Sequence, residues 1–469
     1  MAKILFFNPP TWKNVYSKTI VEVGAPSYPN YTLALLAGNL VDQHEVKIID
    51  LDLYSNYQTT LFATIKKFQP DIIGASAKTT DYLVIKEIMT KIKEKYPKIM
   101  TIVGGVHITV FPEEVIKEKC FDILALGEGD KTIPDILSAK ELKNVPGIAF
   151  RDKKSHKIIF TKKRELIQDI NKLTYPAWHL FDLNKYNNSR LSARKNPNGH
   201  LETSRGCSYQ CNFCNKSIFG TLYRMKNVNR VVDEIEYMLK CGFQEIHIMD
   251  DSFTQNIKRA KEICREIIKR RLIFPWSLMN GIRVNFVDAE FFKLAKKAGC
   301  WQIGFGIESG DQRVLNKISK KITLAEVRKA VKLAEKEGID TFGFFLLGLS
   351  GETINSMQKT IDFAKSLPLT TAKFAICIPH PGTPYFWELK NANRIKTFDW
   401  SKYKFHQVDE PLFDHPNLAW EQIVAYRKKG YREFYLRPSY AFRRLKRDIK
   451  MNDLLFDIEY FLKSVRGLF

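Results

Sequence analysis

The chain has 469 residues, enough for two or three domains that each bury a core. Hydrophobic residues at 45% and charged residues at 27% are typical of a globular protein, and eight cysteines are too few for a disulfide scaffold at this length. The formal net charge of +23 is unusual and favours polyanionic partners such as nucleic acid, an anionic membrane surface or a phosphorylated substrate.

Neither a secretion signal nor a membrane span is expected. The first ten residues are too short an apolar run, and too early broken by proline, to be a signal peptide. No run of about 18 apolar residues occurs in the chain. We therefore expect a cytoplasmic protein, whose reducing surroundings suit free thiols.

Residues 1–140 alternate short apolar runs with helical patterns. The predicted strands are Ile4–Asn8, Val46–Asp50, Ile72–Ser76, Met100–Gly104 and Ile123–Leu126. Helical patterns lie between them at 31–42, 57–68, 82–96 and 112–119. Near-continuous apolar strands separated by helices predict an α/β fold with a flavodoxin-like or Rossmann-like doubly wound parallel sheet.

Ligands of such sheets bind outside the carboxyl ends of the strands. Glycines at those ends let the backbone approach a large ligand closely. The candidate ligand-binding residues there are Asn8, Pro9, Ser76, Thr79, Gly104, Gly105, His107, Gly127, Glu128 and Gly129.

Two strings in this region are more specific than the strand pattern. Val-Gly-Gly-Val-His-Ile-Thr-Val-Phe-Pro-Glu-Glu occupies 103–114, and Leu-Gly-Glu-Gly-Asp occupies 126–130. Together they resemble the cobalamin-binding domain that precedes many radical S-adenosylmethionine (SAM) domains. The resemblance implies that residues 1–140 bind cobalamin.

The resemblance also bears on the cobalt ligand. Other cobalamin domains carry a D-x-H-x-x-G signature whose histidine binds cobalt. The nearest string here contains His44, lacks the glycine and precedes the second strand, where a ligand loop would not be. His107 is interpreted as a polar loop residue beside a helix start. We therefore expect no protein histidine on cobalt.

Residues 141–199 are dense in turn residues and charge, which predicts a linker between domains. Within it, Pro146-Gly147 begins a predicted β-hairpin that runs through Arg151–Lys154 to Ile158–Thr161.

Three cysteines, Cys207, Cys211 and Cys214, then follow a short extended segment in a C-x3-C-x2-C spacing. Such a loop can turn three thiolates toward one point, where they can bind three irons of a four-iron, four-sulfur cluster and leave the fourth iron open. A zinc knuckle and chance clustering are the alternatives. Zinc usually takes four ligands from paired cysteines or histidines, no second pair follows, and His200 precedes the loop.

The spacing resembles the radical SAM superfamily, in which the amino and carboxylate groups of SAM fill the open iron position. The resemblance makes Phe213, inside the loop, a cofactor-binding candidate.

From 200 to 385 the alternation of strand and helix patterns returns, with candidate strands at 200–204, 245–249, 276–280, 302–306, 341–347 and 373–378. Helical patterns lie at 228–240, 257–270, 287–298, 323–337 and 353–366. Six βα units match the partial (β/α)6 barrel of that superfamily, whose chemistry lies at the carboxyl ends of strands.

Polar residues occupy three of those ends. Asp250 and Asp251 follow the second strand, and the resemblance implies a carboxylate there for the SAM amino group, with helix capping as the alternative for Asp251. Arg283 suits the SAM carboxylate or an anionic substrate group, with an ion pair to Glu308 as the alternative. A buried Glu308 must find a partner. The family's ribose-binding position favours Glu308, beside Ser309, over a structural salt bridge.

The last two strand ends continue the resemblance. Residues 343–352 resemble the superfamily's glycine-rich strand against the adenine, which makes Gly348 a cofactor-binding candidate. Residues 378–385 contain a Pro-Gly-Thr-Pro turn shared with cobalamin-dependent members. There, Pro379 is a cofactor-binding candidate and His380, with Arg283, a catalytic one.

Residues 386–469 are aromatic and basic and predict a mainly helical extension. Basic residues are dense over 426–447, and an apolar stripe at helical spacing covers 453–469. Packing of the stripe on the protein itself is the first interpretation. A peripheral position on an anionic membrane is the weaker one.

The resemblance implies an enzyme that cleaves SAM at a [4Fe–4S] cluster to a 5′-deoxyadenosyl radical. We predict methylation, through cobalamin, of an unactivated carbon in a small-molecule or lipid-like substrate, with an electron donor such as flavodoxin or ferredoxin. The alternatives are a radical cyclase or rearrangement enzyme, a tRNA modifier and a non-catalytic cobalamin sensor. A tRNA modifier would need cysteines for a second cluster in the first domain, where only Cys120 lies, so no nucleic acid is expected.

Overall fold

A seven-stranded sheet forms the amino-terminal part of the chain. The computed structural model describes residues 1–11, 27–152, 155–190, 192–404 and 410–451, so the predicted apolar stripe at 453–469 lies outside the described residues. The strands of this first sheet are β1 Lys3–Asn8, β2 Glu45–Asp50, β3 Ile72–Ser76, β4 Met100–Gly104, β5 Ile123–Ala125, β6 Ile148–Arg151 and β7 Ile158–Phe160.

The first sheet has the strand order β2-β1-β3-β4-β5-β6-β7. Strands β1 to β5 are parallel, and their order is that of flavodoxin-like folds, with the switch point between β1 and β3. This confirms the predicted doubly wound sheet. The predicted hairpin forms β6, which is antiparallel to β5, and β7, which is antiparallel to β6 at the edge of the sheet.

Helices cover both faces of the first sheet. Those described are Tyr31–Gly38, Tyr57–Phe68, Tyr82–Lys95, Val106–Val110, Pro112–Val115 and Gly129–Ser138. The helix predicted at 112–119 is only Pro112–Val115. A further short helix, Val106–Val110, precedes it and does not run on into it, because Pro112 has no N–H with which to continue it. The helix at 129–138 was not predicted, since it begins with glycine and contains Pro134.

A second, open sheet of parallel strands follows. The strands after β7 are β8 Asn198–Leu201, β9 Ser204–Arg205, β10 Arg224–Met225, β11 Glu245–Ile248, β12 Trp276–Ile282, β13 Cys300–Glu308, β14 Asp340–Leu347 and β15 Thr371–Ile376. The second sheet has the order β15-β14-β13-β12-β11-β8, and β9 pairs only with β10. Because β8 and β15 are not neighbours, the sheet is a partial barrel, as predicted.

Helices form the outer layer of this barrel and the carboxyl-terminal extension. They are Val228–Lys240, Ile257–Lys269, Ala289–Lys297, Gln312–Lys317, Leu324–Lys336, Ile354–Ser366, Pro384–Asn391, Trp420–Tyr435 and Pro438–Met451. One cluster of buried apolar side chains runs through both sheets, from Ile4 to Phe434. Within the described residues, no helix combines the length and the apolarity needed to cross a membrane.

Candidate functional site

The three predicted cysteines lie in one loop at the carboxyl end of β8. Strands β9 and β10 close the base of this cysteine loop, residues 206–223, by an antiparallel ladder. The Cys214 N–H donates to the Cys211 carbonyl (3.1 Å), which turns the loop back on itself. None of the three cysteines is in a disulfide. The local spacing therefore produces a closed loop with three free thiols.

The donor chemistry of the loop decides what it can hold. Among the described residues, no three His, Cys, Asp or Glu side chains have the spacing of ligands to one metal ion. The fit to a cluster therefore rests on three thiols without a fourth protein ligand. Burial raises the pKa of Cys214 to about 11, against the opposing charge of Lys216, so iron would have to displace its proton.

Arg283, at the end of β12, contacts the cysteine loop. Its guanidinium lies 3.4 Å from the centre of the Tyr209 ring, and its Nη1 is 3.9 Å from Cys211 Sγ. Its Nη2 donates to the carbonyls of Lys320 and Lys321. The predicted alternative, an ion pair with Glu308, does not form, because Glu308 pairs with Lys320. Arg283 thus supports the loop that carries Cys211.

The two aspartates after β11 differ in their surroundings. Asp250 is buried and accepts short hydrogen bonds from Thr203 N (2.5 Å), Thr203 Oγ1 (2.5 Å) and Ser204 Oγ (2.6 Å). Asp251 is exposed and accepts a 3.2 Å hydrogen bond from Gly206 N. Both carboxylate oxygens of Asp250 are occupied, so it fixes the entry to the cysteine loop, and Asp251 has the more accessible carboxylate.

Glu308 ends β13 in an unusual backbone conformation. Its φ is +68°, in the left-handed region that non-glycine residues seldom adopt, and the register with β14 shifts between Gly306 and Glu308. Its Oε1 accepts a 2.7 Å hydrogen bond from Lys320 Nζ, which lies 5.8 Å from the centre of the Phe213 ring. The bulge thus aims the carboxylate toward the cysteine loop, with a cation beside it.

Two predicted residues at the later strand ends are bonded within the protein. Ser309 Oγ lies 3.1 Å from Thr360 Oγ1 in a buried contact. Gly348 N donates to Glu352 Oε2 (2.6 Å), and a Cβ on Gly348 would meet Ile423 at 3.1 Å, so this turn is covered by helix Trp420–Tyr435. The covering helix thus occupies the space beside Gly348, whose cofactor role stays a prediction.

Pro379 and His380 follow β15 near the cysteine loop. Pro379 is buried, and burial lowers the pKa of His380 to about 4, so the imidazole is neutral at physiological pH. The turn that follows is tied to the loop, since Asn215 Nδ2 donates to the Pro381 carbonyl (2.6 Å). The end of β15 and the cysteine loop therefore meet directly.

Glu128 lies between the two sheets rather than at a free ligand edge. It is buried, and its carboxylate accepts hydrogen bonds from Arg205 Nη1 (3.0 Å), Arg224 Nη1 (2.8 Å) and Ile167 N (2.7 Å). Asp130 joins the group through both nitrogens of the Arg205 fork. These charges hold the base of the cysteine loop, and the cofactor contact of Glu128 stays a prediction.

The ligand edge of the first sheet retains several predicted residues. Asn8 Nδ2 donates to buried Asp50 Oδ1 (2.8 Å), and Tyr186 donates to Asp50 Oδ2 (2.9 Å). Thr109 Oγ1 donates to the Gly105 carbonyl and accepts from Gly127 N (3.0 Å), which joins two strand-end turns. Gly105 and Gly127 have positive φ, and a Cβ on Gly127 would meet nothing within 4 Å. An open glycine edge of this kind suits a large ligand.

The remaining predicted residues of this edge divide into two groups. Pro9 is buried, and Ser76 and Gly104 lie half-buried at the ends of β3 and β4. Gly129 begins a helix, and a Cβ there would meet Leu36 at 3.1 Å, so it serves packing.

His107 is buried behind the ligand edge. Its ring stacks on Tyr82 (4.2 Å between centres) and contacts Trp400 edge-on (5.3 Å), and its Nδ1 lies 3.3 Å from Thr79 Oγ1. Burial lowers the pKa of His107 to about 4. Its place in helix Val106–Val110 corrects the interpretation as a loop residue, and the cofactor contacts of His107 and Thr79 stay predictions.

Sequence reasoning missed three residues near the site. Lys320, which pairs with Glu308, lies in a loop without a motif, so only the fold reveals it. Lys216 donates to the Cys207 carbonyl (3.0 Å) from within the loop. Lys373 is a lone basic residue in apolar strand β15, and its alternation with Ala372 and Phe374 was a usable signal.

Comparisons with known proteins agree with this arrangement. The family model for the radical SAM superfamily matches residues 201–364, and the model for the B12 binding domain matches residues 17–137. An uncharacterized methyltransferase of Pyrococcus horikoshii is 35% identical and covers 93% of this chain and 93% of its own.

Two further comparisons extend the range of activities. An anaerobic magnesium-protoporphyrin IX monomethyl ester cyclase of Cereibacter sphaeroides is 29% identical over 88% of this chain and 68% of its own. The solved structure of the radical SAM methyltransferase TsrM of Kitasatospora setae, with cobalamin and a [4Fe-4S] cluster bound, superposes with a TM-score of 0.71. It is 20% identical and covers 92% of this chain and 91% of its own. That identity shows a shared fold.

Proposed function

Because this chain belongs to the radical SAM enzymes that carry a B12-binding domain, we propose that it methylates an unactivated carbon of a small-molecule or lipid-like substrate. The observation that supports this best is the buried charge group of Glu128, Asp130, Arg205 and Arg224, which sets the cysteine loop against the ligand edge of the first sheet. When bound, a [4Fe–4S] cluster supplies the electron that cleaves SAM to a 5′-deoxyadenosyl radical, and cobalamin supplies the methyl group.

The residues of the barrel mouth hold and orient the reactants in this proposal. Cys207, Cys211 and Cys214 would each bind one iron of the cluster, which would leave the fourth iron for SAM. We assign the SAM amino group to Asp251, because the oxygens of Asp250 are already bonded. Glu308 would accept a hydrogen bond from the ribose, and the Lys320 ammonium donates to its Oε1. An electron donor such as flavodoxin or ferredoxin would supply the electron.

Labelled SAM tests the reaction. Anaerobically reconstituted protein should contain about four irons per chain, and a Cys211→Ala variant should lose them. With a methyl-labelled SAM, the product should carry the label, and both 5′-deoxyadenosine and S-adenosylhomocysteine should form. Stoichiometric zinc in place of iron would overturn the cluster assignment.

Oxidative cyclisation is the second candidate, and the 29% identical cyclase favours it. In that reaction the radical is formed without methyl transfer. Turnover that releases 5′-deoxyadenosine and never S-adenosylhomocysteine would therefore replace methylation with cyclisation.

The cobalt of bound cobalamin has no histidine ligand from this chain in the proposal. Support comes from His44, which precedes β2 and so lies at the edge of the sheet opposite the ligand edge, and from His107, which is packed among aromatic rings. His44→Ala and His107→Ala proteins should keep the absorption spectrum of bound cobalamin. Loss of that spectrum in a folded variant would contradict the assignment.

A membrane-facing position of the carboxyl-terminal region is a further part of the proposal. Phe442 is 73% exposed on helix Pro438–Met451, which also carries basic residues. Part of that charge is bonded internally, because Arg443 and Arg447 bind Leu369 O and Asp340. The protein should co-sediment with anionic liposomes more than with neutral ones. Equal co-sedimentation with both would contradict a membrane-facing position.

A further inference from the structure

Strands β14 and β15 present two different faces. The side chains of Phe345 and Phe374 stack on each other (5.3 Å), and Phe374 packs on Tyr431 and Phe434 of helix Trp420–Tyr435. That face therefore points outward to the helix layer. Alternate residues on both strands are only half-buried, which places them on the inner face of the barrel. We call this inner face the lumen.

Lys373 is the basic residue of this part of the lumen. The register pairs it with Phe344, whose ring lies 4.7 Å from that of Phe342, and residues 371 and 375 beside it are threonine and alanine. A Cβ on Gly304 would lie 2.8 Å from the Phe344 ring, so glycine makes room for this aromatic wall. The neighbours of Lys373 on the lumen face are thus Thr371, Ala375 and the two phenylalanines of β14.

Two acidic residues of the second sheet, at the end of β13 and the start of β14, are already paired. Glu308 pairs with Lys320 at 2.7 Å, and Asp340 pairs with Arg194 at 3.0 Å and with Arg447. Among the residues that the structure describes, no hydrogen bond or ion pair to the Lys373 ammonium is formed. Burial alone lowers the pKa of Lys373 to about 8, which reflects the same lack of an anionic neighbour. An ammonium kept in such a place lacks its counter-charge.

We infer that Lys373 binds an anionic group, a carboxylate or phosphate, of a substrate whose flat apolar body lies on Phe342 and Phe344. The inference rests on the proposed function, since it treats the lumen as the substrate site of the radical enzyme. It narrows the substrate class to aromatic or flat apolar anions. The carboxylate of SAM is the other anion that could meet this ammonium, and the experiment separates the two.

A matched pair of probes tests the inference. Binding of 1-naphthoate and of 1-naphthamide, which differ in charge, is measured by calorimetry on the anaerobically reconstituted enzyme. We expect the wild type to prefer the acid by about tenfold. Lys373→Met should lose this preference and keep the amide affinity, whereas Lys373→Arg should retain it. Lys332→Met, which removes the same charge from an exposed helix position, should behave as the wild type.

Two outcomes would overturn the inference. One is a Lys373→Met protein that still prefers the acid, and the other is a wild type without any preference. SAM affinity should not change in Lys373→Met, and a loss would assign the ammonium to the SAM carboxylate instead. Iron and cobalamin contents of each variant test the proposed function separately. The preference for naphthoate over naphthamide depends on a side chain of the protein and not on either cofactor.

Discussion

At the scale of single residues, Glu352 is a buried acid that the proposed chemistry does not use. Its Oε2 accepts from Gly348 N (2.6 Å) and Leu349 N (3.0 Å), while its Oε1 has no hydrogen-bond partner within the described part of the chain. Burial raises the pKa of Glu352 to about 8, although the two N–H groups oppose the shift. At neutral pH the folded protein therefore holds a proton on this side chain.

Glu352 should make the protein less stable as the pH rises. Its folded pKa of about 8 lies above the ordinary glutamate value of 4.5, so between these values the folded state binds more protons than the unfolded state. The free energy of unfolding should fall over this window by at most about 1.4 kcal/mol per pH unit. Glu352→Gln should flatten the dependence and raise the melting temperature at pH 8.

Calorimetric melting between pH 5 and 8 measures this effect. Glu94→Gln, at an exposed position, is the control and should follow the wild type. A Glu352→Gln protein with an unchanged pH dependence would show that the folded protein does not hold the extra proton.

At the scale of elements, the turn after β15 fits against the cysteine loop with little space to spare. Asn215 donates to the Pro381 carbonyl, and the Tyr385 N–H donates to the Asn212 carbonyl (2.9 Å). Gly382 has a φ of +87°, and a Cβ there would lie 2.4 Å from Asn215 Nδ2 and 2.7 Å from Val110 Cγ2. The turn therefore sets the position of the loop against the first sheet.

Gly382→Ala should displace the cysteine loop. The added methyl group meets side chains on two sides and also requires a strained φ, so we expect a loss of about 2–3 kcal/mol in stability and a lower iron content after reconstitution. Gly338→Ala is the matched control. It has a φ of +66° with the nearest atom 3.9 Å away, so it carries the backbone strain without the contact.

Thermal unfolding and iron analysis compare the two variants. The control should lose about 1 kcal/mol and keep its iron. Equal losses in both variants would mean that backbone strain, and not the contact with the loop, determines the effect.

The secondary structure of this chain was easier to predict than the hydrogen-bond and ion-pair partners of its acidic side chains. The strands and the cysteine loop could be predicted because periodicity and spacing are local properties of the sequence. The partners of Asp250 and Glu128 could not, since they are 47 residues away at Thr203 and 77 and 96 residues away at Arg205 and Arg224. Only the packed sheets bring such groups together, so the roles of acidic residues were predicted less well than their positions.

At the scale of the whole molecule, a buried group of charges joins the two sheets. Arg205 and Arg224 come from the ladder under the cysteine loop, and Glu128 and Asp130 come from the end of the first sheet. All four side chains are at most 7% exposed. Because such charges are costly without their partners, the group fixes one relative placement of the loop and the first sheet.

Glu128→Gln should weaken this placement. Arg224 would be left buried beside a neutral group, and breaking a buried pair from one side costs about 3–5 kcal/mol. We expect a lower melting temperature and weaker cobalamin binding, both measurable on the reconstituted protein. Asp135→Asn is the control, because the Asp135–Arg164 pair is partly exposed and should change the stability by less than about 1 kcal/mol.

A double-mutant cycle measures the interaction energy between Glu128 and Arg224 separately from their contacts with other groups. Arg224→Met alone leaves Glu128 with Arg205, and the double variant removes both the carboxylate and the unpaired cation. If the pair acts as a unit, the double variant should be more stable than the sum of the single changes predicts, by more than about 1 kcal/mol. Additive effects would mean that Glu128 stabilises the protein through Arg205 and the Ile167 N–H, and that Arg224 is held by its backbone contacts.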